Sequence, residues 1–228
     1  GLNERFEIVN TLLEIVAIQR DEKDFTGSEV TSIDAISILE GLEQTNIIRK
    51  YTSFFYNNLG MVFAEMEQYE ESILYYKKAI ALQEKLSGDN TEDIEKSRNN
   101  LARSYKNSGK YKLALEIYNE ILDNKNMKRE RPDIYAVVLD NYAHTLFLSG
   151  DFTQLPGLYL QSLKISDSLG SNYLKIIIHQ HLAEYYNKLN KKDSALFYAY
   201  SAKNISEQYH NDDLLKSLLL LSKIETDS

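Results

Sequence analysis

A helical hairpin is written four times along this chain. The first copy runs Asn57-Asn58-Leu59-Gly60, then Phe63, Tyr69, Tyr76 and Ala79. The second runs Asn99-Asn100-Leu101-Ala102, then Tyr105, Tyr111, Ala114 and Tyr118. The third has Asn141-Tyr142-Ala143, Leu146, Phe152 and Tyr159, and the fourth His181-Leu182-Ala183, Tyr186, Ala195, Ala199 and Ala202. The step from Leu59 to Leu101, Tyr142 and Leu182 gives a period of roughly 40 residues, in the range of repeat arrays. Such a unit cannot bury its apolar face alone. It must stack on its neighbours, so the fold expected is an all-α, right-handed superhelix, a solenoid of α-hairpins.

One continuous repeat domain over 1–228 is therefore expected. A degenerate N-terminal hairpin occupies 1–45, repeats occupy 46–88, 89–131, 132–170 and 171–210, and a C-terminal helix fills 211–228. Leu2, Phe6, Val9, Leu13, Val16 and Ala17 fall at helical spacing over 2–20. The polar stretch Arg20 to Ser28, with Gly27, reads as a loop. A second helix follows over 29–44 through Ile33, Ile36, Leu39 and Leu42. Later hairpins turn at Ser108-Gly109, Gly150-Asp151 and Leu189-Asn190-Lys191. Gly88-Asp89-Asn90-Thr91 and Gly170-Ser171-Asn172 each stop one helix and cap the next. Pro132-Asp133 opens the third hairpin at a first turn, where proline is tolerated. Small residues at Gly60, Ala102, Ala143 and Ala183 let helix backbones approach, and Phe63, Tyr76, Tyr105 and Tyr118 fill the gaps.

Charge and composition narrow the function. Net charge is −8, and the acidic excess gathers between Glu4 and Glu43, against only Arg5, Arg20 and Lys23. That argues against nucleic acid and against an anionic membrane surface as partners. The chain has no cysteine, so no disulfide, thiolate nucleophile or zinc–thiolate site forms. No apolar run approaches the ~20 residues of a membrane helix. The chain begins at Gly1 rather than Met. That reads as a segment excised from a longer protein, and apolar Leu214, Leu215 and Leu218 to Leu221 read as a helix whose natural chain continues past Ser228.

No nucleophile motif, phosphate loop or cofactor motif occurs, so neither catalysis nor a cofactor is expected. Paired acids such as Glu70-Glu71 and Asp212-Asp213 sit at helix starts, where the helix dipole accounts for them. His179 and His181 stand two apart on a helix and point to nearly opposite faces, so they make no metal pair.

The hairpins resemble the tetratricopeptide repeat. Leu101-Ala102, Tyr105, Gly109-Lys110-Tyr111, Ala114 and Tyr118 carry the resemblance best, and it extends over about residues 50–210. Hairpin three departs, with Leu155-Pro156 where the small residue and its neighbour belong. The family's first helices line a concave face, which implies a protein or peptide ligand. On that face Asn58, Asn100 and Asn141 take one equivalent place and His181 takes it in the fourth repeat. One turn on lie Met61, Arg103, His144 and Glu184, and Lys106 and Phe147 follow. These ten residues form the candidate groove, with Arg103 and Lys106 as its cationic centre. The amides have two open readings: they bracket a ligand's backbone, or they bond across neighbouring helices. A carboxylate clamp like that of chaperone-binding relatives is incomplete, because Met61 and His144 stand where further cations belong.

Asn57-Asn58-Leu59-Gly60, Ala195-Leu196-Phe197-Tyr198 and Ile165-Ser166-Asp167-Ser168-Leu169-Gly170 also look like the sensory repeat regions of Bacteroidetes signalling proteins. That resemblance implies an extracytoplasmic region of a membrane-anchored protein rather than a cytoplasmic one. A histidine kinase or DNA-binding output domain would follow it. The alternatives are a free-standing scaffold or assembly protein, and a repeat protein that sequesters a regulator on binding a signalling peptide.

Overall fold

The computed structural model describes residues 2–88, 91–124, 126–209 and 211–226. Asp89 and Asn90, expected in the cap between two hairpins, and the side chain of Asp212 lie outside the described residues. The described residues form twelve helices and no strand. These are α1 (Leu2–Asp21), α2 (Phe25–Glu40), α3 (Asn46–Glu65), α4 (Tyr69–Gln83), α5 (Thr91–Asn107) and α6 (Tyr111–Leu122). They continue as α7 (Met127–Glu130), α8 (Pro132–Ser149), α9 (Leu155–Leu169), α10 (Asn172–Lys188), α11 (Lys192–Tyr209) and α12 (Asn211–Thr226). Two compact units divide the chain, Gly1–Ile117 and Tyr118–Ser228, with the division inside α6. Nothing in the repeat period marks that point.

In the first unit each helix packs on the next from α1 to α5, and α3 also touches α1 and α5. In the second, α8 to α12 pack in order, and α10 also touches α8 and α12. The leading helices of successive hairpins thus lie side by side within each unit, which is the solenoid arrangement.

The turn inside each hairpin explains the repetition. Seven residues after Val16, Gly60, Ala102, Ala143 and Ala183 stand Lys23, Glu67, Gly109, Gly150 and Asn190. All five have left-handed backbone, with φ of 63°, 59°, 76°, 88° and 57°. The next residue's N–H reaches back five residues in every case. Asp24 donates to Gln19, Gln68 to Phe63, Lys110 to Tyr105, Asp151 to Leu146 and Lys191 to Tyr186, at 2.7–2.9 Å. This is the Schellman closure, which satisfies carbonyls that a helix end leaves open. Glycine takes that backbone without strain, and Lys23 and Glu67 take it at a cost of roughly 1–2 kcal/mol each.

The N-terminal hairpin is therefore a full member of the array, and the expected loop over Arg20–Ser28 is corrected. α2 starts at Phe25, capped by Asp24, whose side chain accepts from the Gly27 N–H at 2.9 Å. Gly27 lies in that first turn, where a β-carbon would meet the Asp24 carboxylate at 2.1 Å. Ser28 is the small residue of the position, and its hydroxyl donates to the Val16 carbonyl at 3.1 Å. Ser72 repeats the contact to the Gly60 carbonyl at 2.8 Å. A hydroxyl on a helix here bonds the facing backbone where Ala114 and Ala195 simply allow approach.

Core packing repeats as well. Phe63 stacks on Tyr75 with ring planes 1° apart and centroids at 5.3 Å. Tyr186 stacks on Tyr198 at the same two repeat positions, 2° and 5.5 Å. Tyr76, Tyr118 and Tyr159 are fully buried at one equivalent place on α4, α6 and α9. In hairpin three the buried side chain of Leu155 fills the small-residue place, and Pro156 sits in the first turn of α9. The link between the second and third hairpins holds one further turn, α7, anchored by buried Met127. The last helix docks through Ser217, Leu221 and Ile224, while Leu215, Leu218 and Leu219 stay exposed.

Candidate functional site

In the first unit, α3 and α5 carry five of the candidate groove residues. Asn58 is buried, 4% exposed. Its amide donates to the hydroxyls of Ser28 at 2.8 Å and Ser32 at 2.9 Å, and accepts from Arg20 at 3.0 Å. Both N–H groups are thus bonded across helices inside the protein. Lys106 is buried too and does not open a cationic surface.

Arg103 is different. It is half-buried, and no carboxylate among the described residues lies in ion-pair range of it. Its guanidinium faces the hydroxyl of Tyr76. That hydroxyl is fully buried and has no hydrogen bond of ordinary geometry. Burial drives the Tyr76 phenol far above the usual range, against the fields of Arg103 and Arg20 and with that of Glu65. Arg20 of α1 also lies on the Met61 sulfur at 3.9 Å. Arg20, which also pairs with Asp21 at 3.5 Å, and Arg103 both act on the Tyr76 hydroxyl through their fields. Sequence reasoning missed Arg20 because it took the first 45 residues as degenerate. Asn100, next to Arg103, is half-buried and its side chain meets no described partner.

In the second unit, α8 and α10 bring Asn141, His144, Phe147, His181 and Glu184 onto one seam. His181 Nδ1 lies 3.0 Å from the buried carboxylate of Asp140. A carboxylate only accepts, so Nδ1 carries the hydrogen. His144 Nε2 lies 3.4 Å from Glu184 Oε2. The two imidazoles stack on each other, and Phe147 stacks on His144 with centroids 6.0 Å apart. Burial works against charge on Glu184. Hydrogen bonding from His144, with the fields of His144, His181 and Lys223, outweighs it and holds the carboxyl below its ordinary range. His179 points elsewhere, against Tyr198, as its spacing from His181 requires. Among the described residues no group of three or more His, Asp or Glu is arranged to hold a metal ion.

Comparison with known proteins fits this geometry. Residues 51–126 match the sequence model described as Tetratricopeptide repeat. The hairpins over that segment are tetratricopeptide repeats. A protein of Cyanophora paradoxa described as uncharacterized protein ycf37 is 34% identical over 95 residues. That match takes in 41% of this chain and 51% of the other, so the chain spans about half the length of that relative. Among solved structures, a Rap protein complexed with Competence and Sporulation Factor superposes with a TM-score of 0.76 at 16% identity. It covers 95% of this chain and 62% of its own. A signal transduction ATPase of Pyrococcus horikoshii with a tetratricopeptide repeat sensor gives 0.66 at 17% identity, covering 92% and 31%. At such identities the likeness is one of fold. Repeats of this kind act as interaction modules, and within each unit the leading helices present side chains along one face.

Proposed function

We propose that the first-helix faces of this chain bind a polypeptide, without catalysis, as the ligand-sensing or interaction region of a larger signalling protein. The output of that protein would be a histidine kinase or a transcription regulator. One observation carries the reading: Arg103 sits half-buried on α5 with no carboxylate partner among the described residues, beside Asn100, whose side-chain amide meets none among them. A half-buried guanidinium without an anion has donors to spare, and a peptide carboxylate or carbonyl has the matching geometry. Affinity then rests on a few such anchors rather than on the whole face. Support for the sensing role comes from two structural neighbours, one complexed with a factor and one carrying a repeat sensor. Nucleic acid is not proposed as a partner, given the net charge of −8.

The test is selection of peptide ligands from a random display library on the full chain. Their affinity is then measured for the wild type and for Asn100→Ala combined with Arg103→Glu. The double variant loses capture while its thermal unfolding stays nearly unchanged. Wild-type affinity in that variant removes the reading.

A further inference from the structure

The seam between α8 and α10 in the second unit holds more chemistry than peptide binding by shape requires. The rings of His144 and His181 lie face to face with centroids 3.7 Å apart and planes 25° apart. Each imidazole has its own carboxylate, Asp140 for His181 and Glu184 for His144. Asp140 is sealed in, with its side chain 3% exposed, whereas Glu184 is 41% exposed. From α9 the ring of Tyr159 packs 6.1 Å from His181. Its side chain is fully buried, and its hydroxyl has no hydrogen-bond partner among the described residues. That hydroxyl lies in the fields of Asp140 and Glu184. Phe147 borders the seam from α8 and Tyr185 from α10.

Charges on the surrounding helices are mostly engaged elsewhere. Arg131 and Asp133 at the start of α8 pair with each other at 3.1 Å. Lys203 and Glu207 of α11 pair at 2.7 Å. Lys223 of α12 acts on Glu184 through its field. With both imidazoles neutral, the four-group set therefore carries the charge of two carboxylates. Each proton that an imidazole takes removes one unit of it.

We propose that this seam is a subsite for a cationic group of the ligand, a guanidinium or an ammonium, and that protons compete with it. The proposal rests on the polypeptide-binding reading and names the chemistry of one contact. The cation seats on the open carboxylate of Glu184, with the Phe147 ring as a flank that also favours positive charge. The buried Tyr159 hydroxyl gains the partner it lacks in the free protein through a water that enters with the cation. A proton on either imidazole puts positive charge where the ligand puts its own. Binding therefore expels protons, and acid expels the ligand.

The experiment uses the full chain with labelled imidazoles, whose Cε1–H signals are assigned through His144→Gln, His179→Gln and His210→Gln. N-acetyl-arginine amide and N-acetyl-lysine amide are titrated in, with N-acetyl-leucine amide as the control. Near pH 7.5, at least one cationic probe shifts the His144 and His181 signals saturably, leaves His179 in place, and lowers the midpoint of the pair's titration. The leucine probe does not. Near pH 5, where imidazoles are protonated, affinity for the cationic probe falls about tenfold or more. Glu184→Gln, which keeps the shape of an exposed side chain, loses about tenfold near pH 7.5. The difference between the two cationic probes says which head group the site prefers. Unmoved signals, equal affinity at both pH values, or unchanged affinity in Glu184→Gln each overturn the subsite. Peptide capture that persists while the cationic probes fail removes this subsite alone. Probe binding without any peptide capture removes the broader reading and leaves the subsite standing.

Discussion

The backbone of Gly60 lies flat against the ring of Tyr76, so close that a β-carbon would sit 2.7 Å from Cε1, 2.8 Å from Cδ1 and 2.9 Å from Cγ. The contact is with the ring, not with a movable tip, and Tyr76 is fully buried. Alanine favours a helix over glycine by about 1 kcal/mol. Overpacking a closed core costs about 1–3 kcal/mol. Steric cost wins here, so Gly60→Ala lowers unfolding stability despite its better propensity. Chemical denaturation checks this, and a more stable Gly60→Ala variant would show that Tyr76 can withdraw.

Glu67 takes the left-handed turn that Gly109 and Gly150 take in later hairpins. Glycine relieves the crowding of Cβ against carbonyl, worth roughly 1–2 kcal/mol, and gives back part of it as chain entropy. Glu67→Gly should therefore raise the denaturation midpoint slightly, whereas Gly109→Ala should lower it. Opposite signs from the same turn position are the expected result.

Asn58 ties α3 to α1 and α2 through Arg20, Ser28 and Ser32. Asn58→Ala leaves buried hydroxyls short of a donor and should cost about 1–3 kcal/mol. It should not alter the affinity of a selected peptide, because the amide is buried and both its N–H groups are engaged. Paired denaturation and binding measurements separate the two roles.

His179 gives the protein a pH-dependent stability. Burial pushes its folded pKa below the ordinary 6.5, opposed by Asp167 and aided by Lys175. Below 6.5 the unfolded chain takes a proton that the folded one resists, so this contribution is present above 6.5 and lost as pH falls through the folded value. Unfolding temperature measured from pH about 7.5 down to about 5 should fall less steeply in His179→Phe than in the wild type. Glu184 acts in a lower window. Its folded pKa is depressed below 4.5, so its contribution is lost only as pH drops beneath that value.

Much of the architecture could be read from the sequence because the determinants are local. Leu101-Ala102, Tyr105 and Tyr118 recur at fixed offsets, and each offset maps onto one packing contact. The N-terminal hairpin was legible only as a degenerate one, with its turn drawn too long, because that turn carries Lys23 rather than glycine and its small residue is Ser28. The backbone closure that fixes both leaves no mark on residue type. The short helix α7 escaped because one buried side chain, Met127, holds it. For the site, Arg103, His144, His181 and Glu184 were legible as a face. The pairing of His181 with Asp140, the stack on His144 and the arrival of Arg20 were not. Those depend on which side chains meet across helices some 40 residues apart in the chain.

The central claim is that ligands meet the leading helices of the hairpins, and spin-label mapping tests it most directly. A nitroxide on a peptide selected against the full chain should broaden resonances around Asn100 and Arg103 in the first unit, or around Asn141 and His144 in the second. Signals near Leu113, Leu160 and Phe197, exposed on the second helices, should stay sharp. Broadening confined to those second-helix residues, with Arg103 and His144 untouched, would contradict the account.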